Sequence, residues 1–539
     1  MPLTPDMRRA IDQIRDYLFG GGYPDPVSNA EQLSFLFFFY LVEGIDAENQ
    51  ARAKVLKQRY DSLFTGTRTL RNLQNATAPG QTTVPCARFR WSAWADMSGE
   101  ALVRWVRDEV FPFYADVAGE SAVNFMHGAR LVIDEPTVLT QVVTLVDGLR
   151  LDRADADTKG DLFEHVLKQI KQAGELGQFR TPRHVIRAIV EIIDPQIGET
   201  IYDPAAGTAG FLVAAYNHIR LANSSPGGTQ TVEVDGKPAQ RGLGDRLSAA
   251  QTSVLQSKTF FGNDVDPKMV RLATMNLTLR GLPNVRILLR NVLTTTLDAE
   301  RKAALGLPEG GHHVVLANPP FSGRVDRDRI VDDVKVGTTT ATELLFIKYM
   351  MDSLRPGGRC GVIVPEGVLF GSTGAHKELR RQLIENHRVE AVLSLPGGVF
   401  QPYSGVKTSV LFFRKGGSTG NVLFLHADND GYKLDANHDT PIEQDDLPGL
   451  VTAYRDREAN LAAWQARDPQ AEWTAPWWFA DAATLRANDF NLSAGRYRPM
   501  SQAQVAHQDP RELLAELAAI EAEIAQEVEA LRVALGEAA

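Results

Sequence analysis

The chain contains 539 residues, of which 44% are hydrophobic and 23% are charged, a composition typical of a globular protein that folds in water. This length predicts roughly two to four domains. The longest aromatic-rich run, residues 35–41, is too short to cross a bilayer, and residues 1–14 lack the apolar core of a signal peptide. The sequence therefore predicts a cytoplasmic protein without a membrane segment.

Cysteine content and net charge exclude several kinds of site. Two cysteines, Cys86 and Cys360, are too few for a disulfide framework or a cysteine-based zinc cluster. The pair His312-His313 has no nearby acid–histidine spacing suited to a metal, so we expect no metal site. The net charge of −10 is unlike that of a protein that grips DNA alone over a long footprint. Any basic surface is therefore local, or a partner supplies most of it.

Residues 1–150 are predicted to form a helical domain. Residues 7–19 have helical periodicity and are followed by three glycines, and residues 30–43 and 100–117 continue in the same style. This region contains no compact catalytic motif. Helical packing or the docking of a partner is therefore its expected role.

Between residues 151 and 425, helices alternate with short apolar strands. An amphipathic helix is predicted over 161–172, and residues 223–244, rich in glycine, serine and polar side chains, are predicted to be an inserted surface loop. The alternation predicts an α/β fold with a doubly wound, mostly parallel, Rossmann-like sheet. The predicted strands are residues 200–202, 259–261, 286–289, 314–317, 360–364, 390–394 and 409–413.

The C-terminal part gives weaker signals. Residues 426–510 are predicted to be an extension of the second domain, and residues 511–539 an amphipathic helix. Apolar residues at steps of three and four form a seam on this acidic helix, which can dock on a partner or pack on its own domain, and we favour the partner. The seam consists of Leu517, Ile520, Ile524, Val528, Leu531 and Leu535.

A turn with two glycines follows the strand at 200–202. Gly207 and Gly210 allow the backbone to approach a ligand closely. The turn matches neither the phosphate-binding Walker pattern nor the dinucleotide fingerprint. Asp203 stands directly before the turn, which disfavours a pyrophosphate and suits a cationic ligand.

A second acidic residue follows the next strand. We assign this role to Asp264, with Asp266 as the alternative. A carboxylate at this place can bind both hydroxyl groups of a ribose. A positively charged nucleoside without a phosphate describes S-adenosylmethionine, which is the predicted cofactor.

The strand at 314–317 is followed by Asn318, Pro319, Pro320 and Phe321, at the edge where open α/β sheets place their ligands. The Asn318 side chain and a neighbouring carbonyl can accept hydrogen bonds from an exocyclic amine. The prolines stiffen the turn, and Phe321 offers a face on which a base can stack. Because Asn-Pro-Pro is also an ordinary turn after a strand, this interpretation depends on the cofactor loop upstream.

With these motifs in this order, the chain resembles the modification subunit of type I restriction–modification systems, an N6-adenine DNA methyltransferase. The resemblance covers about residues 1–500. Residues 177–183 resemble the segment that covers the cofactor's methionine end, 203–212 the glycine loop, 262–267 the ribose-binding acid, and 318–321 the catalytic motif. The cofactor-binding residues implied are Gln178, Phe179, Arg180, Thr181, Pro182, Arg183, Asp203, Ala205, Gly207, Thr208, Ala209, Gly210, Phe211, Asp264 and Asn291.

The chain departs from the family at two of these positions. The family usually has glutamate where this chain has Asp264. Relatives often place an aspartate near the cofactor's adenine, where this chain has Asn291. An asparagine can still bind an adenine edge because it has both a donor and an acceptor.

The resemblance also implies a mechanism and partners. Adenine would be rotated out of double-stranded DNA and methylated on its amine, with Asn318, Pro319, Pro320 and Phe321 forming the catalytic corner. Two modification subunits would clamp one specificity subunit, and a restriction subunit can join them. The N-terminal helices and the helix at 511–535 are the expected docking surfaces.

Other functions remain open at this point. A stand-alone adenine methyltransferase, or one from another phage-defence system, would carry its own recognition region. A methyltransferase-like scaffold would bind DNA or partners without catalysis. Methylation of cytosine C5 needs a cysteine nucleophile, and Pro85-Cys86 lies too far before the cofactor loop to serve. Protein-glutamine and RNA-guanine methyltransferases also use Asn-Pro-Pro-aromatic motifs, although residues 177–182 and the long flanking regions fit DNA better.

Overall fold

The computed structural model describes residues 4–57, 59–118, 125–126, 128–172, 181–282, 285–401, 405–435 and 438–499, together with 518, 521–522 and 524–525. The expected cofactor residues Gln178, Phe179 and Arg180 lie outside the described residues. So does most of the helix expected at 511–535, including Leu517, Ile520, Val528, Leu531 and Leu535. None of the described helices has the length and apolar character needed to cross a bilayer.

The N-terminal region is mainly helical, as predicted. Its first helix begins at a Thr4 cap with a proline in the first turn and is capped at Gly21. A π-helical turn, Val106–Val110, joins its fourth and fifth helices. The elements in chain order are α1 (Pro5–Gly20), α2 (Pro26–Leu56), β1 (Thr67–Thr69), β2 (Thr83–Pro85), α3 (Trp91–Trp94), α4 (Gly99–Trp105), α5 (Phe111–Ala118) and α6 (Pro136–Gly148).

The second region alternates helices and strands. Its elements up to the catalytic corner are α7 (Ala156–Gln172), α8 (Arg183–Ile193), β3 (Ile201–Asp203), α9 (Gly210–Ala222), β4 (Thr229–Val234), β5 (Lys237–Gly242), α10 (Ala249–Ser257), β6 (Phe260–Asp264), α11 (Pro267–Thr278), β7 (Arg286–Leu289), α12 (Ala299–Ala304) and β8 (His312–Ala317). Those that follow are α13 (Thr342–Ser353), β9 (Leu354–Pro365), α14 (Glu366–Phe370), α15 (Gly374–Glu385), β10 (Arg388–Ser394), β11 (Thr408–Arg414), β12 (Asn421–His426), β13 (Asp430–Tyr432), β14 (Pro441–Asp445), α16 (Leu447–Arg455), α17 (Arg457–Ala466), β15 (Trp477–Asp481) and α18 (Ala482–Ala487).

Within the described residues, nine strands form one sheet in the order β15-β12-β10-β11-β9-β8-β3-β6-β7. The strands from β9 to β7 are parallel neighbours, and β11 runs antiparallel between β9 and β10. Each predicted strand overlaps an observed one. The sheet continues past residue 425, the expected domain boundary, because this boundary falls within β12 and β15 pairs with β12.

The prediction of a surface loop over residues 223–244 is wrong. Strands β4 and β5 pair antiparallel from Thr229↔Gly242 to Val234↔Lys237 and form a hairpin. Asp235 and Gly236 connect the two strands with positive φ angles of 49° and 80°, as the two central residues of a type I′ turn require.

Helix α11 joins the two regions because it contributes to both hydrophobic cores. Met269, Leu272 and Met275 pack into the core of the N-terminal helices. Ala273 and Leu277 pack into the core around the sheet. Between α11 and α2, Arg271 Nε donates to Glu31 Oε1 at 2.6 Å, with the two side chains 11% and 7% exposed.

Replacing Arg271 by methionine is expected to lower the free energy of unfolding by about 3–5 kcal/mol, because Glu31 then stays buried without this ion pair. The double variant Arg271→Met/Glu31→Gln should recover part of the loss, since no buried charge is left. Urea unfolding measures both values. Equal stability of Arg271→Met and the parent chain would contradict the role of this pair.

Candidate active site

Strands β3, β6 and β8 bring three predicted site residues to one edge of the sheet. Tyr202 lies opposite Phe261 on one side and Val315 on the other, all in parallel register. Asp203, Asp264 and Asn318 therefore follow at the same edge, where parallel strands end. The pattern of apolar residues predicts the strands. The order of these strands in the sheet then brings the three side chains together.

A cavity of about 1380 Å³ opens at this edge. We call it the catalytic cavity. The cavity also extends along the helices α7, α8 and α9 and the hairpin strands β4 and β5, so its volume covers more than the strand edge. Of the predicted site residues, those that line it are Thr181, Arg183, Asp203, Ala205, Gly207, Thr208, Gly210, Phe211 and Asn318.

The glycine loop is shaped for a ligand that lies against the backbone. Gly207 has φ = 51° and Ala209 has φ = 65°, both in the left-handed region, and helix α9 begins directly afterwards at Gly210. A side chain at position 207 would be strained at this φ value. The loop therefore lies with its backbone at the wall of the cavity, and its N–H groups at Ala205, Ala206, Gly207 and Ala209 donate within the protein and hold its shape.

Asp203 lies at the base of the loop and is almost fully buried, with 1% of its surface exposed. Its Oδ1 accepts a hydrogen bond from the Ala205 N–H at 3.0 Å. Burial, with a smaller contribution from the charge of Asp264, raises the pKa of the Asp203 carboxyl group to about 8. A cationic ligand beside it would favour the ionised form.

Asp264 and Asp266 have different partners. The Asp264 carboxylate accepts hydrogen bonds from the N–H groups of Gly207 and Asp266, both at 2.9 Å, which ties the end of β6 to the glycine loop. Burial raises the pKa of Asp264. Asp266 caps α11 by accepting from the Lys268 N–H at 2.8 Å. Both carboxylates therefore have backbone partners, and the assignment of Asp264 as the ribose-binding acid stays a prediction.

The Asn318 side chain is oriented by Thr181. Asn318 Nδ2 donates to Thr181 Oγ1 at 3.0 Å, and Thr181 is buried. This contact, between the end of β8 and the residue two positions before α8, turns the amide oxygen of Asn318 away from Thr181. The residue Asn318 lines the catalytic cavity, while its amide oxygen Oδ1 is a buried atom.

The remaining residues of the corner differ in exposure. Pro319 is buried and Pro320 is exposed. Phe321 is 7% exposed, and its ring meets that of Phe400 edge to face, with centroids 5.3 Å apart and an interplanar angle of 88°. The Phe321 ring is thus packed in one orientation beside Asn318.

Residues Pro182 and Arg183 continue from Thr181 into α8, where Pro182 is the N-cap residue. Arg183 binds Glu164 of α7 at 2.7 Å and Asp235 of the β4–β5 turn at 3.5 Å. Asn291 Oδ1 accepts from the Leu293 N–H at 3.0 Å, within its own turn. The described site residues outside the set that lines the cavity are Pro182, Ala209, Asp264, Asp266, Asn291, Pro319, Pro320 and Phe321.

The β4–β5 hairpin forms a wall of the catalytic cavity that the sequence analysis missed. Arg241 of the hairpin makes a two-point contact with Asp161 of α7 at 2.9 Å. Lys237 binds Asp445 at 2.8 Å, and the Tyr432 hydroxyl donates to the Asp235 carbonyl at 3.1 Å. The dipeptide Asp235-Gly236 is the signal that could have predicted this hairpin.

Comparison with known proteins identifies the family to which the chain belongs. The sequence profile described as N-6 DNA methylase matches residues 154–506. The chain belongs to the N-6 DNA methylase family. The match includes the glycine loop, the Asn318 corner, the hairpin and the strands after residue 425.

Several characterised relatives share most of this methylase's length. It is 29% identical to the methylase subunit of the type I restriction enzyme EcoEI from Escherichia coli over 474 residues, 84% of this chain and 86% of that protein. It is 28% identical to the EcoKI methylase subunit from Escherichia coli strain K12 over 439 residues, 77% of this chain and 75% of that protein.

Solved structures agree with the fold. A chain from a structure of a type I restriction–modification system matches with a TM-score of 0.68 and 25% identity, covering 100% of both chains. The methyltransferase subunit of the type I system of Streptococcus thermophilus matches with a TM-score of 0.63 at 17% identity, covering 91% of this chain and 98% of that one. The predicted fold class is therefore confirmed, and so is the prediction of an adenine-specific DNA methyltransferase that uses S-adenosylmethionine.

Proposed function

We propose that this methylase is the modification subunit of a type I restriction–modification complex, acting in the cytoplasm on adenines that a specificity subunit selects. The observation that carries the catalytic part is the shared cavity, lined by both the glycine loop and Asn318. The partner assignment is supported by the likeness to type I methylase subunits over 84% of the chain. The acidic net charge of −10 further supports a partner that supplies DNA-binding surface.

Asn318 prepares the adenine amine for attack. The amine nitrogen is a poor nucleophile because its lone pair is shared with the ring. Hydrogen bonds from the amine to Asn318 Oδ1 and the Pro319 carbonyl would favour a pyramidal nitrogen and localise that pair. Thr181 accepts a hydrogen bond from Asn318 Nδ2, which would leave Oδ1 to accept from the amine once the base has entered. Positioning and fixed dipoles would then supply most of the rate acceleration.

The glycine loop, Asp203 and Asp264 would hold the cofactor. These residues fit a nucleoside that carries a positive charge. When bound, S-adenosylmethionine supplies the electrophilic methyl group. Asp203 would oppose its positive charge, and Asp264 would accept hydrogen bonds from the ribose while it keeps Gly207 in place. Asn291 is proposed to contact the adenine edge, and Gln178, Phe179 and Arg180 to cover the methionine end together with Thr181, Pro182 and Arg183.

The target adenine would enter the catalytic cavity by rotating out of the duplex, since its amine is otherwise inside the helix. Asn318 lines this cavity, so the amine of the extruded base would meet it there. Phe321 remains the proposed surface for stacking the extruded base. Its edge-to-face contact with Phe400 fixes the orientation of its ring before DNA binds.

The partner surfaces are proposed to be the N-terminal helices and the segment 511–539. One specificity subunit would be held between two copies of this chain, and a restriction subunit can join. Ile524, one of the described residues of the seam, is 56% exposed, as a docking surface requires.

Co-expression with a type I specificity subunit from the same genome tests the assignment. We expect the two chains to co-purify and the complex to methylate DNA at one sequence, while the isolated chain does not. Sequence-specific methylation by the isolated chain would instead establish a stand-alone enzyme. Cofactor binding without methylation by either preparation would favour the scaffold function.

Replacing Asp264 by alanine is expected to weaken S-adenosylmethionine binding by about 10- to 100-fold, because hydrogen bonds to a charged group are lost. Isothermal titration calorimetry on the isolated chain measures the affinity. Asp266→Ala is the matched control: it removes the cap of α11 and should cost about 1 kcal/mol of stability without a comparable loss of affinity. The reverse order of effects would move the ribose-binding role to Asp266.

A further inference from the structure

Outside the catalytic cavity, His184 meets two side chains from a much later part of the chain. His184 lies in the first turn of α8, Asp430 begins β13, and His438 precedes β14. One ring nitrogen from each histidine and the carboxylate oxygens of Asp430 lie within 4.8 Å of one another. The family's reaction, as proposed above, uses none of these residues.

Both histidines approach the same carboxylate oxygen. Nε2 of His184 and Nε2 of His438 each lie 2.9 Å from Asp430 Oδ2. The two imidazole rings are nearly perpendicular, at 89°, with centroids 5.3 Å apart. Three atoms that commonly ligate metals therefore converge from two directions around one point. Neighbouring ligands of a tetrahedral zinc ion, each about 2.0–2.1 Å from the metal, are only slightly farther apart.

His438 also contacts a backbone carbonyl through Nδ1, the ring nitrogen that does not face Asp430. Nδ1 of His438 lies 3.1 Å from the carbonyl oxygen of Val399. Because a carbonyl only accepts, Nδ1 carries a proton, and a neutral ring then has its Nε2 lone pair directed at Asp430. Two lone pairs cannot face each other at this distance without a cation or a second proton between them. A metal-binding histidine typically donates its other N–H to a backbone carbonyl in this way.

The three side chains are largely buried. Asp430 is fully buried, His438 is 4% exposed, and Asp430 Oδ1 also accepts from the Tyr432 N–H at 3.3 Å. The Tyr432 ring stacks on His184, with centroids 4.3 Å apart. The His184 side chain is 15% exposed, so a small ion and a water ligand can enter on that side.

We propose that His184, Asp430 and His438 bind a divalent transition-metal ion, with Zn²⁺ as the best match to two imidazoles and one carboxylate. The ion would fasten β13 and the segment before β14 to the first turn of α8. That turn begins just after Thr181, which orients Asn318, so the site would stabilise the support of the catalytic corner. This replaces the expectation of no metal, which considered only neighbours in the sequence.

Metal content and thermal stability of the full-length, tag-free chain test the proposal. After exposure to Zn²⁺ and extensive dialysis, the parent chain is expected to retain one ion per molecule, as a single site of this type would. Its melting temperature should rise with Zn²⁺ and fall again with a chelator. The variants Asp430→Asn and His438→Gln should lose both the ion and the response to Zn²⁺.

His426→Gln is the matched control. His426 also contacts an aspartate, with Nε2 3.1 Å from Asp428 Oδ1, but this pair is on the surface and lacks a second histidine. The control should keep the ion and the Zn²⁺ response of the parent chain. This control therefore distinguishes the effect of losing any histidine–aspartate contact from the effect of losing the proposed metal site.

Co²⁺ gives a second measurement that needs only the parent chain, in case the variants do not fold. Co²⁺ in a four- or five-coordinate protein site absorbs visible light far more strongly than hydrated Co²⁺, and addition of Zn²⁺ should remove the absorption. No such absorption, together with no Zn²⁺ retained by the parent chain after dialysis, would overturn the proposal. The cluster would then be a buried network held together by protons.

Discussion

Asn318→Ala is expected to lower the rate of methyl transfer by at least about 10²–10³-fold, the usual effect of removing one fixed dipole aimed at the reacting group. Cofactor affinity should be largely unchanged, because the glycine loop, Asp203 and Asp264 are intact. Radiolabelled methyl transfer by the chain with its specificity subunit measures the rate. Calorimetry on the isolated chain measures cofactor affinity.

Two further variants distinguish chemistry from folding. Asn318→Asp keeps an acceptor oxygen and should retain more activity than Asn318→Ala. Thr181→Val removes the hydroxyl that accepts from Asn318 Nδ2 and should lower the rate by about tenfold, since a slightly misplaced amide still reaches the amine. Near-normal turnover by Asn318→Ala would remove this residue from the mechanism.

The predictable part of this site comes from local signals. Apolar runs followed by Asp203, Asp264 and Asn318 identify strand ends, and parallel strands share an edge, so sequence alone indicates that these residues meet. The antiparallel course of β11 between β9 and β10 was not predicted from its apolar residues. The apolar run within β11, residues 410–413, looks the same in either direction when both faces of the sheet are buried.

The β4–β5 hairpin was predictable and was missed. Its strands alternate in exposure, and Asp235-Gly236 is one of the strongest short-range hairpin signals. The glycines and serines around this dipeptide gave the segment the composition of a loop. The turn nevertheless fixes the register in which the two strands pair. Its place in the wall of the catalytic cavity follows from long-range contacts, such as Arg241 with Asp161, which no local pattern contains.

The cluster of His184, Asp430 and His438 was beyond prediction from spacing. His184 and Asp430 are 246 positions apart in the chain, whereas local metal motifs place their ligands a few residues apart. The cluster forms because β13 folds back onto α8, and this return depends on packing of residues past 425, where the sequence signal is weak. Long-range ligands of this kind appear only once the fold is known.

Asp203 should make S-adenosylmethionine binding depend on pH. In the free chain the pKa of Asp203 is raised to about 8 by burial, so the carboxyl group is mostly neutral at pH 6.5. A cationic ligand favours the ionised form, and binding at that pH therefore requires the loss of a proton. The dissociation constant should fall by up to about tenfold per pH unit as pH rises toward 8, and then level off.

Calorimetry between pH 6.5 and 9 can follow this change, and buffers of different ionisation enthalpy reveal the released proton. S-adenosylhomocysteine, which lacks the sulfonium charge but keeps the amino group, separates the contributions of the two cationic groups. Asp203→Asn resembles the neutral carboxyl group, so it should bind weakly at every pH and release no proton. Affinity that is independent of pH for both ligands would contradict a charge-pairing role.

The same pKa shift has a consequence for stability with a defined sign. An aspartate in the unfolded chain has a pKa of about 3.9, far below the folded value of about 8. Between these values the folded chain binds more protons than the unfolded chain, so the stability due to neutral Asp203 is present at low pH and is lost as pH rises toward 8. Unfolding of the cofactor-free chain should accordingly need less urea at pH 8.5 than at pH 6, and Asp203→Asn should reduce that difference. Bound cofactor favours the ionised carboxylate, so it should also reduce the difference in urea stability between pH 6 and pH 8.5. An effect of pH on other groups would not be reduced by the cofactor in this way.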